Sequence, residues 1–337
     1  MKQFFEREGL RYAMIGSGSW ATALIKLLLN HQQKIAWYIR DGKKIEQIIK
    51  SAHNPSYLQS VYLDPARLEM SSDLNAVVEG ADVILVATPS AYFMDTFSML
   101  KVSLDNKFII SAIKGFVDEK NLTIAEYFNQ CHNVPFDRIG VIGGPCHAEE
   151  VSMERLSYLT LTSKYYEVAC ALCDIFACDY IKASPGTDIY GVEYSAALKN
   201  VYAVAAGICH GLGYGDNFMA VLMTNAYHEI VNFLNATHPD KDRNLSSSVY
   251  LGDLLVTAYS KFSRNRTFGG MIGKGYSVIS AQIEMNMVAE GYYASRCIYE
   301  INKNFRIDMP IADAVYMILY KQRYPAYVMK QLEDKLY

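Results

Sequence analysis

Between Leu10 and Ser184, short apolar runs of strand length alternate with stretches in which apolar residues recur every three or four positions. The runs at 11–15, 34–39, 83–87, 107–111, 138–142, 158–162 and 179–182 are predicted strands. Val83-Ile84-Leu85-Val86-Ala87 is apolar without a break, which suits a strand covered on both faces. This alternation predicts βαβ units and a mainly parallel sheet. Pro185-Gly186 then punctuates the chain and the strand signals fade. Segments 193–206, 218–234, 249–262, 285–301 and 311–320 have helical length and period. The expected architecture is an N-terminal Rossmann-like α/β domain over 1–186, followed by an all-helical domain over 187–337. No low-complexity linker separates the halves, so they are expected to pack around a shared cleft.

Composition narrows the partners. The chain has 337 residues, long for a single core, with 51% hydrophobic and 20% charged residues, as in a globular protein. A net charge of −3 implies no general affinity for polyanions, which argues against nucleic acid and membrane surfaces. Seven cysteines, an odd number scattered between Cys131 and Cys297, do not form the pattern of a secreted disulfide framework. The first residues are charged and lack the apolar core of a signal peptide, and no long uncharged apolar stretch follows. The expectation is a cytoplasmic protein with no membrane insertion. Cys170 and Cys173 form a C-x-x-C in a helix-like segment without a second ligand pair, so buried helix positions are favoured and no metal is expected.

The first predicted strand runs into Gly16-Ser17-Gly18-Ser19-Trp20-Ala21, and a helical pattern follows at once. In that context G-x-G-x-x-A is the dinucleotide fingerprint. Gly16 permits a tight turn, Gly18 lets the backbone approach a pyrophosphate, and Ala21 lets the helix lie close to its strand. NAD or NADP is therefore the expected cofactor. After the second strand comes Arg40-Asp41, where a carboxylate would favour NAD and an arginine NADP; with both present, the signal is divided. Small or polar segments follow the later strands: Thr88-Pro89-Ser90, Lys114-Gly115 and Gly143-Gly144-Pro145-Cys146-His147-Ala148. On position alone, Lys114 reads equally well as a solvated loop lysine.

In the helical half, Lys199 and Asn200 interrupt a strongly apolar helix. A lysine normally titrates near ~10.4, and desolvation or a neighbouring cation lowers it towards the range of a general acid/base. The bland alternative is a side chain that snorkels to the surface. Asp253 and Thr257, four apart, share a helix face, and Ser263-Arg264-Asn265-Arg266 follows the end of that helix. Arginine and asparagine together can grip a phosphate; taken alone, the segment is a solvated basic loop.

In this order, the motifs resemble the bacterial NAD(P)-dependent glycerol-3-phosphate dehydrogenase family over nearly the whole chain. The resemblance rests on the Gly16 turn with Ser19-Trp20, His53-Asn54-Pro55-Ser56-Tyr57-Leu58, Lys114-Gly115 and Gly144-Pro145-x-x-Ala148. It continues through Leu198-Lys199-Asn200, Gly252-Asp253-Leu254, Ser263-Arg264-Asn265-Arg266 and Glu290-Gly291. It implies reversible reduction of dihydroxyacetone phosphate to sn-glycerol 3-phosphate, feeding phospholipid synthesis. By that resemblance Lys199 is the proton donor and acceptor, Asp253 tunes it, and Asn200 stands beside it. Arg264 and Asn265 would hold the substrate phosphate, with Lys114 as a second cation and Gly144, Cys146, Thr257 and Ser263 also facing the substrate. Ser19, Trp20, Arg40, Lys114, Ala148, Arg264 and Glu290 would join Gly16 and Gly18 along the cofactor. Where the family usually has Gly-Pro-Ser-Phe-Ala, this chain carries Cys146-His147, and a thiol is a much weaker donor than a hydroxyl. Ala21 stands where the family commonly has glycine. Competing readings are a related hydroxy-acid or sugar-acid dehydrogenase and a non-catalytic dinucleotide sensor. The 26 tyrosines fit a homodimer face and ordinary core packing equally well.

Overall fold

Short runs, most of them apolar and rich in β-branched or aromatic residues, set the sheet, because they are too short to do better as helices. The computed structural model describes residues 2–285 and 287–337. Its strands are β1 (Tyr12–Ile15), β2 (Ile35–Tyr38), β3 (Leu68–Ser71), β4 (Val83–Val86), β5 (Phe108–Ser111), β6 (Ile139–Gly143), β7 (Ser157–Ser163) and β8 (Ile181–Gly186). They form one sheet in the order β3-β2-β1-β4-β5-β6-β7-β8, parallel except for the β6–β7 pair. The helices of this half are α1 (Lys2–Phe5), α2 (Ser19–Leu28), α3 (Gly42–Ser51), α4 (Leu74–Glu79), α5 (Phe93–Phe97), α6 (Ile124–His132), α7 (Ala148–Ser152) and α8 (Tyr166–Phe176). Met14, Trp37, Leu85 and Phe108 of the strands share one apolar cluster with Leu24 and Leu28 of α2 and Leu172 and Phe176 of α8.

β1 lies between β2 and β4, with Tyr12 opposite both Ile35 and Val83. The chain order reverses here, and in open α/β sheets ligands bind at such a switch point. Six of the eight strands match expected runs closely, and β8 shares only Ile181 and Lys182 with the run expected at 179–182. The remaining strand, β3, was not anticipated: Leu-Glu-Met-Ser buries only Leu68, so no alternation stands out. Pro185-Gly186 closes β8 rather than following it, Gly186 lying opposite Thr162. Cys170 and Cys173 both lie in α8.

Among the described residues the eight later elements are all helices: α9 (Ile189–Leu212), α10 (Asp216–Thr237), α11 (Leu251–Tyr259), α12 (Arg264–Gly273), α13 (Val278–Glu284), α14 (Glu290–Phe305), α15 (Pro310–Leu319) and α16 (Pro325–Glu333). Among the described residues no helix is long and apolar enough to cross a membrane. The chain forms two compact units. One runs up to Ile113 and resumes at Ile124–Ile189; the other comprises Lys114–Thr123 and everything from Tyr190 on. The short segment Lys114–Thr123 thus belongs with the helices.

α9 is the axis of the second unit, with every residue from Val201 to Cys209 buried. A helix apolar on all sides must be surrounded. Helix α12 packs against it backbone to backbone. A Cβ on Gly207 would stand 2.1 Å from the Arg266 carbonyl oxygen, and one on Gly269 2.1 Å from that of Val204, so only glycines allow the two backbones to touch. A Cβ on Gly291, in α14, would come within 2.4 Å of the Asn200 carbonyl oxygen.

Glu229 of α10 is buried and accepts hydrogen bonds from the amides of Ile311 (2.6 Å) and Ala312 (3.2 Å) at the start of α15, and from the Tyr202 hydroxyl (3.1 Å) of α9. Burial outweighs these bonds and pushes its carboxyl up to about 8. A carboxyl raised in the folded state stabilises most below its unfolded value, and that contribution fades as pH climbs through the folded one. The melting temperature is accordingly expected to fall by several degrees between pH 5 and pH 8. Glu229→Gln should flatten that slope; an unchanged slope would assign it to other groups.

Candidate active site

The glycine turn is built for close approach. Gly16 has φ +119°, and a Cβ there would lie 2.8 Å from the Ala87 carbonyl oxygen at the end of β4. At Gly18, by contrast, a Cβ would meet nothing within 4 Å. Gly18 also caps α2 without a side chain, so the first amides of that helix receive no side-chain cap. Trp20 adds a buried indole N–H with no hydrogen-bond partner. An open glycine, an uncapped helix start and an unsatisfied donor together fit a pyrophosphate.

The turn is braced from outside. Trp37 of β2 donates its indole N–H to the Gly16 carbonyl (2.7 Å), and Asn54 donates to the Ser17 carbonyl (3.1 Å) and the Thr22 hydroxyl (2.8 Å). The sequence pointed to neither role, since the burial that obliges Asn54 to find partners shows only in the structure. Arg40 and Asp41 lie just past the end of β2. Asp41 caps α3 through the Lys43 amide (3.0 Å), while Arg40 is exposed, its guanidinium 5.9 Å from the centre of the Tyr92 ring. After β6, Gly144 accepts a bond from the Cys146 thiol (3.3 Å), and Ala148 opens α7.

In the second unit the predicted polar residues converge. Lys199 and Asn200 of α9 are buried, as is Asp253 of α11, which is 1% exposed. The Lys199 ammonium bonds one oxygen of Asp253, and Lys114 bonds the other at 3.2 Å. Lys199 does not snorkel. Burial alone would push the Asp253 carboxyl up, but the two ammonium groups and their hydrogen bonds overcome it and hold Asp253 below the usual carboxylate range. Thr257 shares the face of Asp253 but gives its hydroxyl proton to the Asp253 carbonyl (2.7 Å).

A relay of amides adjoins this cluster. Asn200 donates to the Lys114 carbonyl (2.7 Å) and accepts from Asn265 (2.8 Å), while Asn265 in turn accepts from the Gly291 amide (2.8 Å). Ser263 to Arg266 are not the loop their composition suggested. Ser263 caps α12 through the Arg266 amide, and Arg264 and Asn265 are its first two residues. Arg264 and Glu290, the first residues of α12 and α14, flank the Asn265–Gly291 bond. Lys114, Lys199, Asn200, Asp253 and Asn265 thus form one hydrogen-bonded group.

The profile of the NAD-dependent glycerol-3-phosphate dehydrogenase N-terminus matches residues 11–169, and that of the C-terminus matches residues 188–330. The chain belongs to this family. It is 34% identical over 317 residues to a glycerol-3-phosphate dehydrogenase [NAD(P)+] of Staphylococcus carnosus, covering 93% of this chain and 94% of that one. It is 35% identical over 318 residues to the enzyme of that name from Latilactobacillus sakei, covering 92% of each. The crystal structure of glycerol-3-phosphate dehydrogenase from Coxiella burnetii superimposes with a TM-score of 0.86 at 26% identity, covering 96% of this chain and 98% of that chain. As a member of the glycerol-3-phosphate dehydrogenase family the chain is an NAD(P)-dependent oxidoreductase. For such an enzyme the open Gly18, the uncapped start of α2 and the Trp20 indole are groups suited to hold the cofactor.

Proposed function

We propose that the protein reversibly reduces dihydroxyacetone phosphate to sn-glycerol 3-phosphate, with Lys199 as the acid/base. The observation that carries this reading is the buried Asp253 carboxylate shared by Lys199 and Lys114. When bound, the cofactor supplies the hydride. Lys199 gives a proton to the ketone oxygen as negative charge builds there, and takes it back in the reverse direction. Asp253 fixes the direction of that ammonium, and Lys114 offers a second cation to the substrate. Asn200 holds the backbone beneath Lys114. Arg264 and Asn265, at the positive end of α12, grip the phosphate with Ser263 and Thr257 nearby. Gly144 and Cys146 are further substrate-binding residues in this reading.

Gly16, Gly18, Ser19 and Trp20 hold the pyrophosphate side of the cofactor, with Ala148, Lys114, Arg264 and Glu290 along the rest. Arg40 makes NADPH acceptable alongside NADH, since Asp41 is committed to capping α3. In this reading residues 1–186 chiefly bind the cofactor, with Lys114, Gly144 and Cys146 given to the substrate, residues 187–337 bind most of the substrate and carry the chemistry, and the product enters phospholipid synthesis.

The test is oxidation of NADH and of NADPH with dihydroxyacetone phosphate, beside 3-hydroxyisobutyrate and 6-phosphogluconate with the oxidised cofactors. Turnover with dihydroxyacetone phosphate alone is expected. Arg264→Lys should then raise KM for that substrate about tenfold or more, because a point charge cannot replace a planar fork. Turnover only with a hydroxy acid would overturn the reading, and an unchanged KM would move the phosphate grip elsewhere.

A further inference from the structure

The chain leaves the first unit after Ile113 and re-enters it at Ile124, and Lys114 is the first residue of the intervening segment. A lysine at such a crossing needs something to fix its backbone, or its ammonium would wander. Part of the answer lies beside it: the Asn200 bond to the Lys114 carbonyl, and Phe116, buried with its ring centre 5.5 Å from that of Tyr194. The segment then turns back on itself, the Val117 amide bonding the Leu122 carbonyl at 2.8 Å.

At the tip of this turn Asp118 faces α14. Arg296 grips its carboxylate with both Nε (3.2 Å) and Nη2, and the thiol of the buried Cys297 donates to the same carboxylate at 3.2 Å. The guanidinium lies 6.0 Å from the centre of the Tyr320 ring, which stacks on Tyr292 of the same helix at 4.8 Å. α14 also carries Gly291, whose amide ends the Asn200–Asn265 relay. The contacts therefore close a circuit. It runs from Lys114 through Asp253 to Lys199 and Asn200 on α9, through Asn265 to Gly291, along α14 to Arg296, and back through Asp118 to Lys114.

We propose that Asp118 and Arg296 are positioning residues for the reduction, a clamp that sets the reach of Lys114 towards the phosphorylated substrate. Neither acts on the substrate; both act through Lys114, so the inference rests on the substrate role given to that lysine above. A two-pronged ionic fork is suited to the task because it fixes orientation as well as distance. The Arg296 side chain is 45% exposed and that of Asp118 17%, so solvent screens the pair's charge in part, and the clamp acts through the two-pronged geometry and the added Cys297 bond rather than through charge alone.

The test is a double-mutant cycle on the full enzyme with Asp118→Asn, Lys114→Met and the pair. Asp118→Asn is expected to raise KM for dihydroxyacetone phosphate about tenfold while kcat and the KM for NADH change less than about threefold, a loss of ~1.4 kcal/mol in substrate capture. Combined with Lys114→Met it should add nothing further, because both changes remove the same contribution. Arg296→Lys, which keeps the charge but not the fork, should fall between wild type and Asp118→Asn. Additive losses, or equal losses in kcat and both KM values, would show a general structural role and overturn the clamp. If Lys114→Met alone leaves KM for dihydroxyacetone phosphate unchanged, the substrate role of Lys114 fails and the clamp fails with it. If Lys114→Met raises KM and Asp118→Asn does not, the clamp alone fails.

Discussion

Lys199→Met is expected to reduce kcat by about 10³-fold, within the range for losing a positioned acid/base. Methionine matches the length and apolar stem of lysine, so the packing of α9 should survive while the transferable proton is lost. The affinity for NADH, measured by fluorescence titration without substrate, should change little, because none of the groups fitted to the pyrophosphate lies on α9. KM for dihydroxyacetone phosphate should change less than kcat, since an interaction realised mainly in the transition state weighs on the rate. Near-normal turnover would remove Lys199 from the chemistry.

The second large effect is expected at Asp253. Asparagine keeps an oxygen for one ammonium but cancels the charge that holds Lys199 and Lys114 together. Removing one partner of a buried ion pair costs about 3–5 kcal/mol, because the charges left behind stay desolvated. Asp253→Asn should therefore lower the melting temperature markedly and kcat by about 10²-fold. The pH dependence separates this from simple loss of packing. A carboxyl held below its ordinary range contributes stability above its unfolded value, and loses it as pH falls through the folded one. Wild type should thus shed stability in acid more steeply than Asp253→Asn. Parallel acid limbs would argue that the carboxylate is not the anchor of the cluster.

Local chemistry explains what the sequence made legible. The Gly16 turn could be read because glycines at two fixed offsets and a small residue at a third suit a tight turn running into a close-packed helix, and at Gly16 itself only glycine fits. Buried strands such as Val83–Val86 announce themselves by unbroken apolarity. Asp253 and Lys199 were visible as charges in apolar helices, but nothing in their spacing showed that Lys114, 139 positions from Asp253, would take its other oxygen. Helix α12 was missed for an instructive reason. Its three glycines and basic start are poor helix formers, each glycine costing about 1 kcal/mol against alanine in isolation. Here the missing side chains are what let α12 touch α9, so tertiary contact overrides local preference. The helix expected from 285 begins instead at Glu290. Asp118 and Arg296, 178 positions apart, carry no signal that could pair them.

The bare backbone contact between Gly207 and Arg266, and its counterpart between Gly269 and Val204, works as a ruler. Side chains can swap rotamers to suit a new ligand, but main chains already in van der Waals contact have no slack to give. The spacing of the two backbones from which Lys199 and Arg264 project is therefore set by that contact. Adapting this scaffold to a longer or shorter carbon skeleton would require moving a helix as a whole.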